Sequence, residues 1–238
     1  GNSIAIQPDG KILIGGNFYS YNGVVRKGIV RLNSNGSIDT TFKPLELNTY
    51  YESSVFFVTL QPDGKILLSG VFQLPVPGPV VKHLIRLNSD GSIDNSFTKG
   101  DLTGTINHYD ISVSLSRPLA KPIIQPDGKI IVTGAFTKYN SITTNNIVRL
   151  YSNGNVDSGF YTTTGTDRAI NVGILEPSTN KIIIGGEFTL FGSTPVKKMI
   201  RLNTNGTLDN TFTIGTGTTD IPISSGNIYT NNYIKHLI

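Results

Sequence analysis

The 238-residue chain carries 20 basic and 16 acidic side chains, is only 15% charged, and contains no cysteine. That excludes disulfides and thiolate metal sites, leaves no run of Lys or Arg of the kind that tracks phosphates, and offers no apolar stretch long enough to span a bilayer. Neither nucleic-acid binding nor membrane insertion is expected, the opening GNSIAIQPDG lacks the form of a secretory leader, and 26 glycines with abundant Asn, Ser and Thr favour many short strands over helix.

The first predicted element is a strand over residues 4–7. It opens the block IAIQPDGKILIGGNF, in which two apolar, β-branched runs flank a turn and so predict a β-hairpin. Pro8 and Asp9 suit the central positions of a type I turn and Gly10 the left-handed position after it, which pairs Gln7 with Lys11 and Ile6 with Ile12. A loop over residues 19–28 leads to a second hairpin, IVRLNSNGSIDTTF. There Ser34 and Asn35 turn the chain, Gly36 is left-handed, Leu32 faces Ile38, and Arg31 faces Asp39.

Both blocks then return three times. VTLQPDGKILLSGVF, IIQPDGKIIVTGAF and ILEPSTNKIIIGGEF repeat the first; LIRLNSDGSIDNSF, IVRLYSNGNVDSGF and MIRLNTNGTLDNTF repeat the second. A period of roughly 51 to 64 residues with four strands per unit is the composition of a β-propeller blade. The expected fold is all-β, a propeller of four four-stranded antiparallel blades plus an extra strand. The units cover approximately residues 1–43, 54–98, 111–161 and 168–213 of a single repeat domain spanning 1–238. Residues 233–238 take the position of the first strand of a further unit, so the chain is expected to form part of a larger propeller whose further repeats, or another chain, cover its open ends.

An Asp repeated in QPDG is a candidate catalytic acid or metal ligand as well as a turn residue. The fourth copy decides for the turn, because residues 176–180 read EPSTN, losing the Asp while keeping Pro and a residue tolerant of left-handed geometry. Arg31, Arg86, Arg149 and Arg201 stand eight residues before Asp39, Asp94, Asp157 and Asp209 and are expected to form cross-strand structural ion pairs. A calcium loop is the alternative, since Asn88, Asp90, Ser92 and Asp94 alternate oxygen ligands around a Gly. Only that unit has Asp in the third place and the spacing misses the EF-hand pattern, so no metal is expected. Phe18, Phe72, Phe136 and Phe188, with Phe42, Phe97, Phe160 and Phe212, are expected core residues, and the Gly two residues before each of the first four marks a bulge or a close backbone approach.

With strands named A to D in each unit, the A–B and C–D turns are nearly constant. The B–C loops (residues 19–28, 73–83, 137–146, 189–198) and D–A connections (43–53, 98–122, 161–167, 213–232) vary, so one end of the scaffold is uniform and the other diverse. The diverse end carries Tyr19, Tyr21, Tyr50, Tyr51, His108, Tyr109, Tyr139, Phe191, Tyr229 and Tyr233, aromatics suited to stacking on sugars or packing on protein. The same rings equally suit pinning long loops to the blades. His83, His108 and His236 share no metal-like spacing and no catalytic triad is visible, so no catalytic residue and no cofactor is expected.

The motifs QPDGKI, [GST]-G-x-F and R-L-N-x-[ND]-G-S-[IL]-D-x-x-F resemble the delta-60 repeat family. The resemblance implies β-propeller repeats of the kind found in large bacterial surface or secreted proteins and in some phage structural proteins, with no defined activity and no site residues to carry over. The expected function is a non-enzymatic interaction or structural module of a cell-surface, secreted or virion protein, its loops presented to a protein or glycan. A propeller-type hydrolase or lactonase acting in a central channel is the rival, set back by mainly apolar A strands, and a purely architectural subunit contacting its neighbours is the third possibility.

Overall fold

The structure is a computed structural model that describes residues 2–43, 54–76, 78–104, 119–160 and 165–215. All regular elements among the described residues are β-strands in small antiparallel sheets. The chain divides into two compact units, Gly1–Thr103 with Leu150–Asn155, and Gly104–Arg149 with Val156–Ile238.

In the first repeat strand A (Ser3–Ile6) pairs with B (Ile12–Gly15), and B with C (Ile29–Leu32). The order A-B-C recurs in Ser54–Leu60, Ile66–Val76 and Gly78–Leu87, in Ile123–Ile124, Ile130–Thr133 and Ile147–Leu150, and in Ile170–Leu175, Ile182–Gly186 and Met199–Leu202. The expected fourth strand D joins by a single bridge, Leu32 to Ile38, Leu87 to Ile93 and Leu202 to Leu208. Its ladder stops there because the next residue is the recurring Asp, whose carboxylate turns the chain. Asp39 Oδ1 accepts from the Thr41 amide at 2.9 Å and the Thr41 hydroxyl at 2.7 Å, a local bond that competes with sheet pairing. In these three repeats the blade is therefore a three-stranded ladder edged by a one-bridge fourth element.

The turn chemistry follows the sequence reading. Ile6 pairs with Ile12, the Gln7 amide donates to the Lys11 carbonyl at 2.8 Å, and Gly10 has φ of 81°. The QPDG carboxylate is consumed locally: Asp9, Asp63 and Asp127 each accept the amide of the Lys two residues on at 3.1 Å. In the fourth repeat Thr179 Oγ1 takes that amide from Lys181 at 3.2 Å, and Asn180 occupies the left-handed position with φ of 56°.

The B–C connections hold a feature the sequence reading did not anticipate. Ser20–Tyr21 pairs with Val24–Val25, Lys138–Tyr139 with Ile142–Thr143, and Leu190–Phe191 with Thr194–Pro195, so each is a miniature hairpin. Asn22 and Gly23 (φ 47° and 76°), like Asn140 and Ser141 (46° and 68°), supply two consecutive positive φ values, the requirement of a type I′ turn. In the second repeat strands B and C themselves run on to fill this place.

The core of the first unit joins two repeats. Leu13, Ile29 and Phe42 pack with Val55, Val58, Phe72 and Leu87. In the second unit Ile131, Ile147 and Phe160 pack with Ile170, Ile184, Phe188 and Leu202. A Cβ on Gly70 or Gly186 would collide with the carbonyl of Ser54 or Ala169, so the Gly of the G-x-F ending is required by close backbone approach, and the adjoining A–B ladders slip register at Val55/Phe57 and Ile170/Val172.

Candidate functional site

Each recurring Arg and Asp meet as the hairpin register requires. Nε of Arg31, Arg86 and Arg149 donates to Oδ2 of Asp39, Asp94 and Asp157 at 2.8 Å, and Arg201 to Asp209 at 2.7 Å. A third partner joins them, unforeseen from the sequence: the Lys of QPDGK lies on the same oxygen, Lys11 at 2.9 Å, Lys65 at 2.9 Å, Lys129 at 3.2 Å and Lys181 at 2.9 Å. The signal for it was the invariance of Lys through all four copies, including the copy that lost the Asp. Burial alone would raise the carboxyl pKa of Asp39 and Asp94. Hydrogen bonds from Thr41, Lys11 and Arg31, and from Ser96, Lys65 and Arg86, outweigh it and hold both well below the usual carboxylate range. For Asp209 the bond from Lys181 is the largest influence, followed by Thr211, and the shift is also downward. Each carboxylate is thus saturated by its own repeat, and among the described residues no group of three or more His, Cys, Asp or Glu is positioned to hold a metal ion.

The same guanidinium links successive repeats. Arg31 Nη1 donates to the Ser89 carbonyl and Arg149 Nη1 to the Thr204 carbonyl, both at 2.6 Å, and Arg86 Nη1 bonds the Ser152 carbonyl. Every acceptor lies in the C–D turn of the following repeat. The Arg planes also cover Phe42, Phe97, Phe160 and Phe212, with the guanidinium carbon 4.6 to 4.7 Å from the ring centre. Gly91 lies over Phe42, Gly154 over Phe97 and Gly206 over Phe160, so closely that a Cβ on each would stand 3.0 Å or less from a ring atom. One Arg therefore closes its own hairpin, shields a core ring, and fastens the next turn.

The candidate binding aromatics separate into different environments. Tyr19 is 62% exposed and Tyr21 half-buried. Tyr139 (0% exposed) and Phe191 (5%) are core residues at the inner position of their B–C hairpins and are not available as a binding surface. Burial pushes the Tyr139 phenol above its ordinary pKa, and its hydroxyl has no hydrogen-bond partner. Tyr50, Tyr51, His108, Tyr109, Tyr229 and Tyr233 lie outside the described residues, as does the strand expected at 233–238. In their place the structure exposes aliphatic groups on the hairpins: Val24 (42%) and Val25 (44%) beside Tyr19 in the first unit, and Ile142 and Leu190 in the second. The sequence signal for the inner ring was an aromatic three residues after the strand-B Phe, in FYSY, FTKY and FTLF.

A model for a family described as a domain of unknown function (DUF5122) beta-propeller matches residues 7–42, 61–97, 125–160 and 178–212. The chain belongs to this family. Its four matches begin at the A–B turn and end at the Phe of the D segment, so the family pattern encloses the Arg, Asp, Lys and Phe that interlock the repeats. No curated protein matches the chain. Among solved structures it is similar to a gluconolactonase from Xanthomonas campestris, with 12% identity, a TM-score of 0.45, and coverage of 86% of this chain and 59% of that one. A second structure named for the same activity shares 13% identity at a TM-score of 0.43, over 86% of this chain and 60% of that one. The DUF5122 chain thus spans about three-fifths of the length of these structures, and likeness at that level does not bear on activity.

Proposed function

We propose that this propeller chain is a non-enzymatic interaction module of a cell-surface, secreted or virion protein, of the delta-60 type, which presents the tips of its B–C hairpins to a protein or glycan. The carrying observation is the cluster of Tyr19, Val24 and Val25, three apolar side chains 62%, 42% and 44% exposed on one hairpin. A hairpin held by a type I′ turn displays such groups with little ordering entropy left to lose, which favours binding. The charged side chains that recur in every repeat are by contrast consumed in holding the repeats together, and none is left free at the uniform end for acid–base work.

The test is a glycan microarray read alongside a lactone and glycoside hydrolysis assay with added divalent cations. Glycan binding by the wild-type chain that falls at least about tenfold in Tyr19→Ala supports the reading, since exposed aromatics carry much of such contacts. Catalytic turnover, or binding that Tyr19→Ala and Val24→Ser leave intact, overturns it.

A further inference from the structure

Two departures from the repeat pattern meet at one cavity within the second unit. The cavity, about 370 Å³, is lined by Gln125, Asp127, Lys129, Arg149, Asn180 and Asn205 among others, so it lies between the A–B turn of the third repeat and the A–B and C–D turns of the fourth. Its volume falls in the range of small-molecule sites, roughly 300–1,000 Å³, but its wall is polar where such sites are mostly apolar. The first departure is Asn180. It holds the left-handed position, φ of 56°, that Gly10, Gly64 and Gly128 hold in the other A–B turns, and it adds a carboxamide where they have no side chain. The second is Gly159. Arg31 Nη2 has Thr41 Oγ1 as an acceptor at 3.4 Å, whereas the residue two after the recurring Asp of the third repeat is Gly159, which offers no hydroxyl. Arg149 spends Nε on Asp157 and Nη1 on the Thr204 carbonyl, also in the cavity wall, and its Nη2 has no acceptor among the described residues.

The charges around this wall cancel. Asp157 lies 2.8 Å from Arg149 and 3.2 Å from Lys129, and Lys129 is also 3.6 Å from Asp127. Two carboxylates face two cations, so neither a free anion nor a metal ion meets an uncompensated charge. What remains is hydrogen-bonding capacity of both signs. Donors are Arg149 Nη2, the Asn180 amide, and Nδ2 of Asn205, whose Oδ1 is already taken by the Thr207 amide at 3.1 Å and hydroxyl at 2.8 Å. Acceptors are the half-exposed Asp127 carboxylate and Gln125 Oε1, which is buried without a partner on a side chain only 6% exposed.

We propose that this cavity is a binding site for an uncharged pyranoside. A sugar carries no net charge, and each of its hydroxyls both donates and accepts, which is the combination the wall leaves unsatisfied. Ligand hydroxyls donate to the Asp127 carboxylate and to Gln125 Oε1, reached by a turn of its side-chain amide, and accept from Arg149 Nη2, Asn180 and Asn205. Pro126 supplies an apolar contact for the ring carbons. The site belongs to the end of the scaffold that carries the A–B and C–D turns, and it does not rest on the binding role assigned to the B–C hairpin tips.

Saturation-transfer difference NMR of the whole chain with the methyl glycosides of glucose, galactose, mannose and N-acetylglucosamine at millimolar concentration tests it. Transfer to at least one of the four is expected. Asn180→Gly restores the residue the other turns carry and should leave thermal unfolding intact while weakening that binding at least about threefold, the effect of one lost hydrogen bond. Gln125→Leu should weaken it similarly without lowering stability, because the acceptor it removes has no partner in the folded chain. Tyr19→Ala should leave this binding unchanged, which separates the site from the hairpin tips. No transfer from any of the four glycosides, binding indifferent to both Asn180→Gly and Gln125→Leu, binding lost in Tyr19→Ala, or displacement of the sugar by equimolar inorganic phosphate overturns the proposal.

Discussion

The guanidinium of Arg31 fastens the carbonyl of Ser89, 58 residues away, at 2.6 Å while its Nε holds Asp39 at 2.8 Å. Because both charges are buried, removing the carboxylate leaves the Arg and Lys charges uncompensated inside the blade, and removing the Arg leaves the carboxylate to the partly exposed Lys alone while also stripping the next turn of its donor. For the equivalent pair in the second repeat, Arg86→Ala or Asp94→Ala is expected to cost about 3–5 kcal/mol in denaturant unfolding. Lys43→Ala, which deletes the exposed pair of Lys43 with Asp90 at 2.7 Å, should cost no more than about 1 kcal/mol. Equal losses from the two changes would contradict the difference in burial.

Acid should loosen the same clusters. The carboxyls of Asp39, Asp94 and Asp209 lie below their unfolded value, so the stability they confer is present above about pH 4 and drains away as pH falls toward their folded-state pKa. Chemical denaturation between pH 7 and pH 2 should show a plateau followed by decline below about pH 4. Asp94→Asn should be less stable at pH 7 and show a shallower decline. A loss of stability already complete at pH 5 would count against these shifts.

Gly91 and Gly36 separate backbone strain from contact. Both have positive φ, 89° and 84°, so Ala at either position carries a left-handed cost of about 1–2 kcal/mol. Only at Gly91 would the new methyl also meet the Lys43 carbonyl at 2.6 Å and the Phe42 ring at 3.0 Å. Gly91→Ala is expected to destabilise by at least about 1 kcal/mol more than Gly36→Ala, a typical overpacking cost. Thermal unfolding of the pair checks it, and equal effects would mean the junction yields.

Tyr139 buries its whole ring with an unpartnered hydroxyl. Tyr139→Phe removes a desolvated polar atom without removing a bond, so it should be neutral or stabilising. Tyr139→Ala should cost about 3–5 kcal/mol through the cavity it leaves. A large loss in Tyr139→Phe would reveal a bond to the hydroxyl.

The hairpins were legible in the sequence because their causes are local. Pro8, Asp9 and Gly10 dictate where the chain turns, the period-two side-chain alternation then sets Ile6 against Ile12 and Leu32 against Ile38, and the eight-residue spacing follows to bring Arg31 onto Asp39. Four copies of that unit determined the all-β repeat architecture. The miniature B–C hairpins are equally local, set by Asn22-Gly23 and Asn140-Ser141, but their two-residue arms are too short to show an alternating pattern and read as loops.

Tertiary structure alone decided what lies between repeats. Nothing near Arg31 in the sequence points to Ser89 as its second acceptor, and nothing near Phe42 says that Gly91 covers it, because both contacts form only when one blade stacks on the next. The aromatics divide for the same reason. Tyr19 and Tyr139 are alike in loop assignment, yet Tyr19 stands just before the short strand Ser20–Tyr21 and is exposed, whereas Tyr139 lies within Lys138–Tyr139 and is buried. Side-chain direction along a strand has a period of two, but which of its faces is inside depends on where the neighbouring sheet lies.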